Sequence, residues 1–396
     1  MSSSNRARLA FIAESTYGVT PVAGNFKTSR FIAETLSASP NTVESAQIRT
    51  DRLSSGQVVV GLDVGGDINF ELAKESALEE FMLSAMHQSA WSTLAPVSVD
   101  MTFNLAARTL TRGSGSFITD GLVKGDFITL AGFSNSANNV PVMITAITAL
   151  VLTCALPDGM ANETGSGTSY TRADKISIGT TKKSFSIEKA FLDLTTKAIN
   201  YKGMICSDMS LNFTYGELAT GSFSFSGNYQ SFADAANEFI TDGRTIDAAA
   251  TTQTFNGSID MPFLASDAIG TFGASEFALR SVSLNMGNNL NPQTVIGNSA
   301  PTDYSSGTAR IEVSLSAYLN DDAWAVLPKK LTQESFALGF MVKNTGGWYG
   351  FYLPAVQVSF DDPASPGQDQ DILLEMSGQA KVGASGESSM TIYRST

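Results

Sequence analysis

Histidine, the side chain most used in acid–base catalysis and a common zinc ligand, occurs once in this sequence, as His87. A serine triad or a zinc site would have to be built on it, and no G-x-S-x-G motif is present. The two cysteines, Cys154 and Cys206, lie far apart, and no C-x-x-C pair occurs. We interpret His87 as a helix-terminal residue near the last carbonyl groups, and the cysteines as unpaired thiols suited to a reducing cytoplasm.

Acidic residues are the other possible source of chemistry. Asp361, Asp362, Asp369 and Asp371 form an acidic run, but their spacing does not match the D-x-D-x-D-G pattern of calcium loops. A solvated loop is the better interpretation of this run. A carboxylate pair for glycoside cleavage stays open, because any two acids can converge in a fold, although nothing singles out a pair. With no phosphate-binding loop and no G-x-G-x-x-G motif, we expect a non-enzymatic protein without metal site or cofactor.

The composition indicates a globular protein that does not bind duplex nucleic acid. The chain has 396 residues, of which 43% are hydrophobic and 16% charged, so two or three domains are expected. Its net charge of -13 repels phosphate, although an acidic surface would be useful near nucleic acid if the requirement were not to adhere. The apolar run near the N-terminus is too short for a signal peptide, and Met143 to Leu152 is too short for a membrane span, so we expect neither export nor membrane insertion.

The most informative feature is an internal repeat. Residues Lys183 to Asn228 and Glu334 to Ala380 both contain an SF-led alternating strand, a turn, a second alternating strand and a third strand that ends near a glycine. The regions ahead of them also match, since Leu36 to Glu80 and Ala278 to Leu327 each give a strand, a long arm, a strand and a helix. The order therefore occurs twice, although chance similarity between strands rich in serine and threonine is an alternative.

The remaining segments complete the predicted organisation. An apolar stripe at helical spacing predicts a helix over Lys74 to His87, and a serine cap followed by Phe232, Ala236 and Phe239 predicts another over Ser231 to Ile240. Residues 96–174 belong to neither copy and read as a small all-β module inserted at a surface loop. We thus predict a first domain from residues 1–95 and 175–242, the inserted module over 96–174, and a second domain over 251–396.

The segment from Ser37 to Val58, within a predicted arm from Glu34 to Asp63, lies between two predicted strands, Arg30 to Ser37 and Val58 to Leu72, that ought to pair directly. It has no turn cluster and no helical period, and it carries both signs of charge. Loops of this length in compact domains are uncommon and are functional or disordered. We interpret the arm as hairpin-like, with β-branched ends at Val58 to Val60, and expect it to add strands or ion pairs to a neighbouring molecule, with a disordered loop as the alternative. Its candidate assembly residues are Glu44, Ile48, Arg49, Asp51 and Arg52.

Several stretches resemble the tail tube proteins of long, non-contractile-tailed bacteriophages. They are AESTYGVTP, the arm with IRTDR, DVGGDINFELAKESALEEFMLSAM, SFSIEKAF, the run from YKGMICSDMSLNF to TGSFSFSGN, and FYLPAVQVSF with GQDQDILLEMSGQA. The resemblance covers nearly all of the chain outside the inserted module. It implies stacked rings whose inner sheets join into one barrel, a loop that contacts the adjacent ring, and a smooth, negatively charged lumen through which DNA slides without specific binding.

The resemblance also implies a fold and partners. We expect a mainly β chain with a duplicated tail-tube domain of β-sandwich or barrel-forming type, short flanking helices and the all-β module, which would decorate the outside and not be required for tube closure. Rings in the family usually hold six tube domains, so two per chain predict three chains per ring, or six chains if the second copy is not a tube domain. Further expected partners are a tape measure protein and a tail terminator, in a virion tail assembled in the host cytoplasm.

Two other classes of protein were weighed against this interpretation. A cell-surface or carbohydrate-binding β-sandwich would have an export signal and clustered exposed aromatic residues. The sequence shows neither feature. A β-sandwich hydrolase is disfavoured by the single histidine and by the absence of a recognisable catalytic motif.

Overall fold

The computed structural model describes residues 3–48, 50–51, 53–54, 56–157, 159–195, 197–233, 244–248, 252–266, 278–324, 326–365 and 367–395. Strands form most of the regular structure in these residues, and the helices are few and short. The predicted mainly β fold is therefore confirmed.

The N-terminal region contains the strands around the predicted arm and one helix. The apolar stripe of the helix is buried, which explains why the pattern over Lys74 to His87 forms this helix with ends two residues inside the predicted ones. The elements are a short 3-10 turn at Ser4–Arg6, then β1 (Ala7–Ala13), β2 (Phe26–Ser29), β3 (Ala33–Glu34), β4 (Ser37–Glu44), β5 (Gln57–Glu71) and α1 (Ser76–Ala85).

The predicted inserted module forms an eight-stranded sheet of its own, in the order β12-β7-β8-β11-β10-β9-β13-β6, with its own buried apolar cluster. We call these strands the module. They are β6 (Val97–Ser98), β7 (Met101–Asn104), β8 (Thr109–Arg112), β9 (Phe127–Ala131), β10 (Pro141–Ile147), β11 (Val151–Ala155), β12 (Glu163–Thr164) and β13 (Ser169–Arg172), with a 3-10 turn at Ser136–Asn138.

The next region contains a strand at the start of the helix that was predicted over Ser231 to Ile240. Residues Ser231 to Ala233 belong to a strand that pairs with Ala198 to Asn200 of a long neighbour, while residues 234–240 lie outside the described residues. A sheet edge that offers hydrogen bonds has overridden the local helical pattern. The elements are β14 (Asp174–Ser177), β15 (Ser184–Phe191), β16 (Lys197–Thr214), β17 (Thr220–Gly227), β18 (Tyr229–Ala233) and β19 (Ile246–Asp247).

The C-terminal region has the same kind of strands with shorter helices. Its elements are β20 (Asp260–Ser266), β21 (Leu279–Gly287), β22 (Asn291–Gln293), β23 (Asp303–Ser305), β24 (Arg310–Tyr318), α2 (Asp321–Trp324), α3 (Lys329–Thr332), β25 (Ser335–Asn344), β26 (Gly347–Ser359), β27 (Leu373–Lys381) and β28 (Thr391–Arg394).

The order of strand pairings recurs. In the part of the chain predicted as the first domain, antiparallel pairs run β1-β15-β16-β17-β5-β4. In the second, they run β20-β25-β26-β27-β24-β21. We call these two sets the first and second repeat. One large apolar cluster includes side chains from both, so they share a core.

The helix α1 anchors the aromatic part of this core. The ring of Phe81 lies 4.5–5.6 Å, between ring centroids, from four other rings, which are those of Phe11, Phe185, Phe223 and Phe225. Tilted and edge-on rings at such distances attract each other in addition to burying apolar area. The helix therefore fixes the apolar face of the first repeat, and the opposite face of the same strands is left for other contacts.

Candidate assembly surfaces

Eight antiparallel strands run through both repeats without a break, in the order β4-β5-β17-β16-β21-β24-β27-β26. We call this set the long sheet. The two repeats meet where the C-terminal half of β16 pairs with β21, from Asp208 opposite Gly287 to Thr214 opposite Ser281. We call this pairing the seam. It buries apolar side chains such as Leu211 and Leu284 on one side, as an interior strand pair does.

The other side of the long sheet is polar from end to end, because side chains alternate between faces along each strand. We call it the polar face. Acidic side chains outnumber basic ones on it, and the rest are mostly small and neutral. Its acids are Asp63, Asp67, Glu71, Asp208, Glu312 and Glu375, its bases are Arg310 and Lys381, and its neutral members include Asn69, Ser210, Asn212, Ser222, Ser283, Asn285, Ser314, Ser377 and Gln379.

Hydrogen bonds tie the side chains of the polar face to one another across neighbouring strands. The hydroxyl groups of Ser210 and Ser222 are 2.8 Å apart, and Ser283 donates to Asn212 Oδ1 at 2.6 Å across the seam. Further pairs donate from Ser224 to Asp67, from Ser316 to Glu375 and from Asn41 to Asp63. These side chains are held to one another across the strands, and the excess of carboxylates gives the face a negative potential.

The predicted arm is a β-hairpin. β4 and β5 pair from Ser37 opposite Gly65 to Glu44 opposite Gln57, so the segment that the sequence pattern left unassigned is reduced to a tip of residues 45–56. We call residues 37–65 the first arm. The error came from Pro40 and the polar side chains of β4, which resemble a loop although their backbone continues the ladder at a sheet edge.

Three of the five predicted assembly residues lie together in this tip or beside it. Glu44 ends β4 and accepts a hydrogen bond from Ser54 Oγ at 2.5 Å, and Asp51 Oδ1 accepts from the backbone of Leu53 at 3.2 Å. The side chain of Ile48 is fully exposed. Arg49 and Arg52 lie outside the described residues.

The first arm also carries an exposed apolar stripe, which we call the valine stripe and which was not among the five predicted assembly residues. Val58, Val59 and Val60 are each more than half exposed, and so are Val43 and Leu53. Exposed β-branched residues at a sheet edge are typical of a surface that pairs with another chain. The VVV run, which the sequence pattern indicated as the β-branched end of the arm, lies in this stripe.

A second arm, residues 288–307, occupies the equivalent place between β21 and β24 and lies on the first repeat. Asn288, which is 2% exposed, donates its amide hydrogens to the carbonyl oxygens of Ala85 at 2.9 Å and Cys206 at 3.1 Å. Tyr304 donates to the carbonyl of Gly227 at 3.0 Å. A short hairpin of β22 and β23 forms the outer part of the arm.

Two more contacts hold the second arm. Lys182 lies 2.7 Å from the carboxylate of Asp303, and the carbonyl of Ser299 accepts a hydrogen bond at 2.6 Å from Leu62 of the first arm. Sequence reasoning did not find these residues, because each partner is more than a hundred positions away.

The histidine and the two cysteines, which were the candidates for chemistry in the sequence, lie in structural positions. His87 is buried with its Nδ1 3.2 Å from Ser306 Oγ of the second arm, and burial, with the nearby charge of Lys182, lowers the pKa of its imidazole. Both thiols are free and buried, and burial raises the pKa of Cys154 to about 12, so neither is a reactive thiolate. In the described ranges, no group of three or more His, Cys, Asp or Glu side chains is placed to hold a metal ion.

The helices in the described part of the chain are all too short or too polar to cross a membrane. A family model described as phage tail tube protein matches residues 4–380, which is nearly the whole chain. Comparison with curated proteins found no match.

Proposed function

The chain belongs to the phage tail tube protein family, and on this premise we propose that it polymerises as stacked rings into a tail tube that conducts DNA during ejection. Membership implies a structural component of the virion tail that assembles with itself, and it suggests a non-enzymatic role. It gives no support to a cell-surface or carbohydrate-binding protein. The observation that carries the proposal is the long sheet, because one chain already joins eight strands with one apolar and one polar face.

The two repeats would be two tube domains, formed by residues 1–95 with 175–242 and by residues 251–396. A β-barrel wide enough for duplex DNA needs far more than eight strands. Three chains would supply three times the eight strands of the long sheet, in a threefold ring with pseudo-sixfold symmetry. The seam supports this arrangement, since within one chain the two repeats already join side by side in a continuous sheet.

The polar face would line the lumen. Its carboxylates would repel the phosphate backbone, and its small hydroxyl and amide groups, held to each other by hydrogen bonds, would offer DNA few partners. The apolar face would be turned outward onto the core and covered by α1. DNA would then pass without specific binding.

The seam also supplies a template for the contact between chains. In the described part of the chain, β4 pairs only with β5, and Ser359 of β26 pairs only with β27, so both ends of the long sheet have an open edge. Ser39 lies opposite Asp63 as Gly287 lies opposite Arg310 in the second repeat. The pair Asp208 and Gly287 of the seam would therefore recur as Ser359 of one chain opposite Ser39 of the next.

The first arm would contact the adjacent ring through its tip, including Glu44, Ile48, Arg49, Asp51 and Arg52, and through its valine stripe. The ends of the tube would meet a tape measure protein and a tail terminator, and assembly would take place in the host cytoplasm. Electrostatic matching across such contacts would give them specificity.

Electron microscopy of the purified protein tests the proposal. We expect tubes whose cross-section averages show three outer protrusions, one for each module. Particles that never form rings or tubes would contradict the tube function, while tubes with six protrusions would contradict only the ring of three chains.

A double variant, Ser39→Cys with Ser359→Cys, tests the contact between chains. Cα atoms of directly opposed residues lie within the range that a disulfide spans. Oxidised tubes should yield linked species of up to three chains, because a closed ring of three has no further partner. Either single variant is the matched control, and Asp208→Cys with Gly287→Cys should link within one chain. Tubes without interchain links would show that the register is wrong.

A further inference from the structure

The module lies against the second repeat, although the chain enters and leaves it from the first. Their side chains form one buried cluster, with Phe127, Met143, Ala155 and Ala173 from the module and its exit, Ala337, Met341, Trp348 and Tyr352 from the second repeat, and Tyr393 from β28, which pairs with β26. The ring of Phe127 lies 5.7 Å from that of Trp348 and 5.1 Å from that of Tyr393, between centroids. A cluster of this composition resembles the inside of a domain more than a contact between loosely attached units.

A buried charge in the same contact has its partners in place. Asp126 of the module is fully buried, and its Oδ1 accepts a hydrogen bond from Tyr393 at 3.1 Å and from Lys175 at 2.7 Å. Removing the module would leave the hydroxyl of Tyr393 and the ammonium of Lys175 without this acceptor. The contact is thus specified by polar groups as well as by apolar area.

Glycines on both sides make the close approach possible. A Cβ on Gly350 of β26 would lie 2.9 Å from the ring of Phe127, and one on Gly339 of β25 would lie 2.4 Å from the sulfur of Met143. On the module side, Gly125 has φ +89 and faces the ring of Tyr352, which a Cβ would meet at 2.2 Å. The second repeat therefore has a socket shaped for the module.

The first repeat closes the equivalent face by other means. By the matching strand registers, Ala337 and Gly339 correspond to Ser186 and Glu188. Glu188 pairs with Arg8 at 3.5 Å, and Glu14 accepts hydrogen bonds from Ser186 at 2.7 Å and Ser184 at 2.6 Å. At these positions the first repeat is polar, next to a small buried apolar cluster of Ala10, Ile12 and Phe26, and Glu14 of the N-terminal segment lies over them. The same face of the second repeat is apolar and is covered by the module.

We propose that the module is the outer wall of the second repeat and is required for the chain to enter a tube. This inference rests on the proposed function for its assembly readout, and it contradicts the expectation that the module is a decoration not needed for tube closure. Without the module, Trp348, Met341 and Tyr352 would form an exposed apolar patch, which favours non-specific association over ordered rings.

The two points where the module joins the first domain lie side by side, so the module can be deleted with a short turn in its place. Ser92 and Lys175 exchange backbone hydrogen bonds of 2.8 Å and 3.1 Å, so the two ends of the insertion are already adjacent. Replacing residues 94–173 by two glycines leaves a four-residue turn between them. We expect this variant to bind an apolar dye, to sediment as aggregates and to form no tubes.

A point variant keeps the test independent of the deletion. Gly350→Leu places a side chain against Phe127 and should displace the module, with the same dye binding and loss of tubes. Gly113→Leu is the matched control, because a Cβ at Gly113 meets nothing within 4 Å, and it should behave as the parent.

The inference is overturned if the deletion variant stays monodisperse without dye binding, if it forms smooth tubes at the parent's yield, or if Gly350→Leu assembles as the parent does. A parent protein that forms no tubes would instead contradict the proposed function. Dye binding by the variants would still decide whether the module is the wall of the second repeat.

Discussion

The two arms occupy equivalent places in the two repeats and are held in different ways. The second arm lies on the first repeat through Asn288, Asp303 and Tyr304, while the first arm extends from the sheet with its valine stripe exposed. Its backbone contact with the second arm is the bond from Leu62 to Ser299. The way in which an arm is held therefore depends on the surface against which it lies. For the second arm that surface is in the same chain, and for the first we infer that another chain supplies it.

The largest expected effect separates assembly from folding in the first arm. Replacing Arg49, Asp51 and Arg52 together with alanine should reduce the yield of tubes by roughly tenfold or more, the effect of about 1.4 kcal/mol lost at each contact. The melting temperature should stay unchanged, because the described side chains of the tip, such as Ile48 and Asp51, are exposed, and charges in such surroundings contribute little to stability. Sedimentation of tubes and thermal unfolding measure the two quantities.

Gln47→Ala, in the same tip, is the control and should affect neither quantity. If the triple variant unfolds at a lower temperature, or forms tubes as readily as the parent, the first arm is not an assembly element.

The second arm should show the opposite behaviour. Asn288→Ala removes two buried hydrogen bonds and leaves the carbonyls of Ala85 and Cys206 without these donors, so the free energy of unfolding should fall by about 1–3 kcal/mol. The control is Asn291→Ala, an exposed residue of the same arm, which should change the free energy by less than about 0.5 kcal/mol. Denaturant titration compares the two, and equal effects would show that the anchoring of this arm is not localised at Asn288.

A smaller effect is expected from pH at the base of the second arm. The pKa of His87 is lowered in the folded state from its ordinary value of 6.5, so the unfolded chain binds the proton first as pH falls. Stability should therefore decrease below that value, by at most about 1.4 kcal/mol per pH unit for one proton.

His87→Asn should flatten this dependence between pH 7.5 and 5.5, because asparagine does not bind a proton in this range. Asparagine is the chosen replacement because it tolerates the φ of 50° found at this position. Melting temperatures across that range decide the point. A slope unchanged by the substitution would assign the effect to other groups.

The local periodicity of apolar residues predicted much of the fold. The alternation predicted for the second strand of each copy is found, with Met209, Leu211 and Phe213 buried on one side of β16. The helix stripe of α1 was equally readable, because a single element determines it. At Ser231 the same reasoning failed, because the edge of β16 decides the conformation of that segment and lies outside it in sequence.

The candidate surfaces were less predictable, since they depend on pairs of distant residues. The charges of the arm indicated assembly, but nothing near Asn288 in sequence indicates that its partners are Ala85 and Cys206. The role of Gly339 and Gly350 becomes visible only when the side chains of the module are seen against them. Neighbouring positions predict faces of elements, and they do not predict which faces meet.

The seam between the repeats also has a consequence for the kinetics of ring closure. Two separate tube domains would have to find each other by diffusion, whereas in this chain β16 and β21 are covalently linked and already paired. The link replaces a bulk concentration by an effective one, which is set by the length and stiffness of the connection. In a ring of three chains, half of the seams are then formed before any encounter, and closure needs three bodies to meet instead of six. The chain would nucleate rings at concentrations too low for its unfused counterpart.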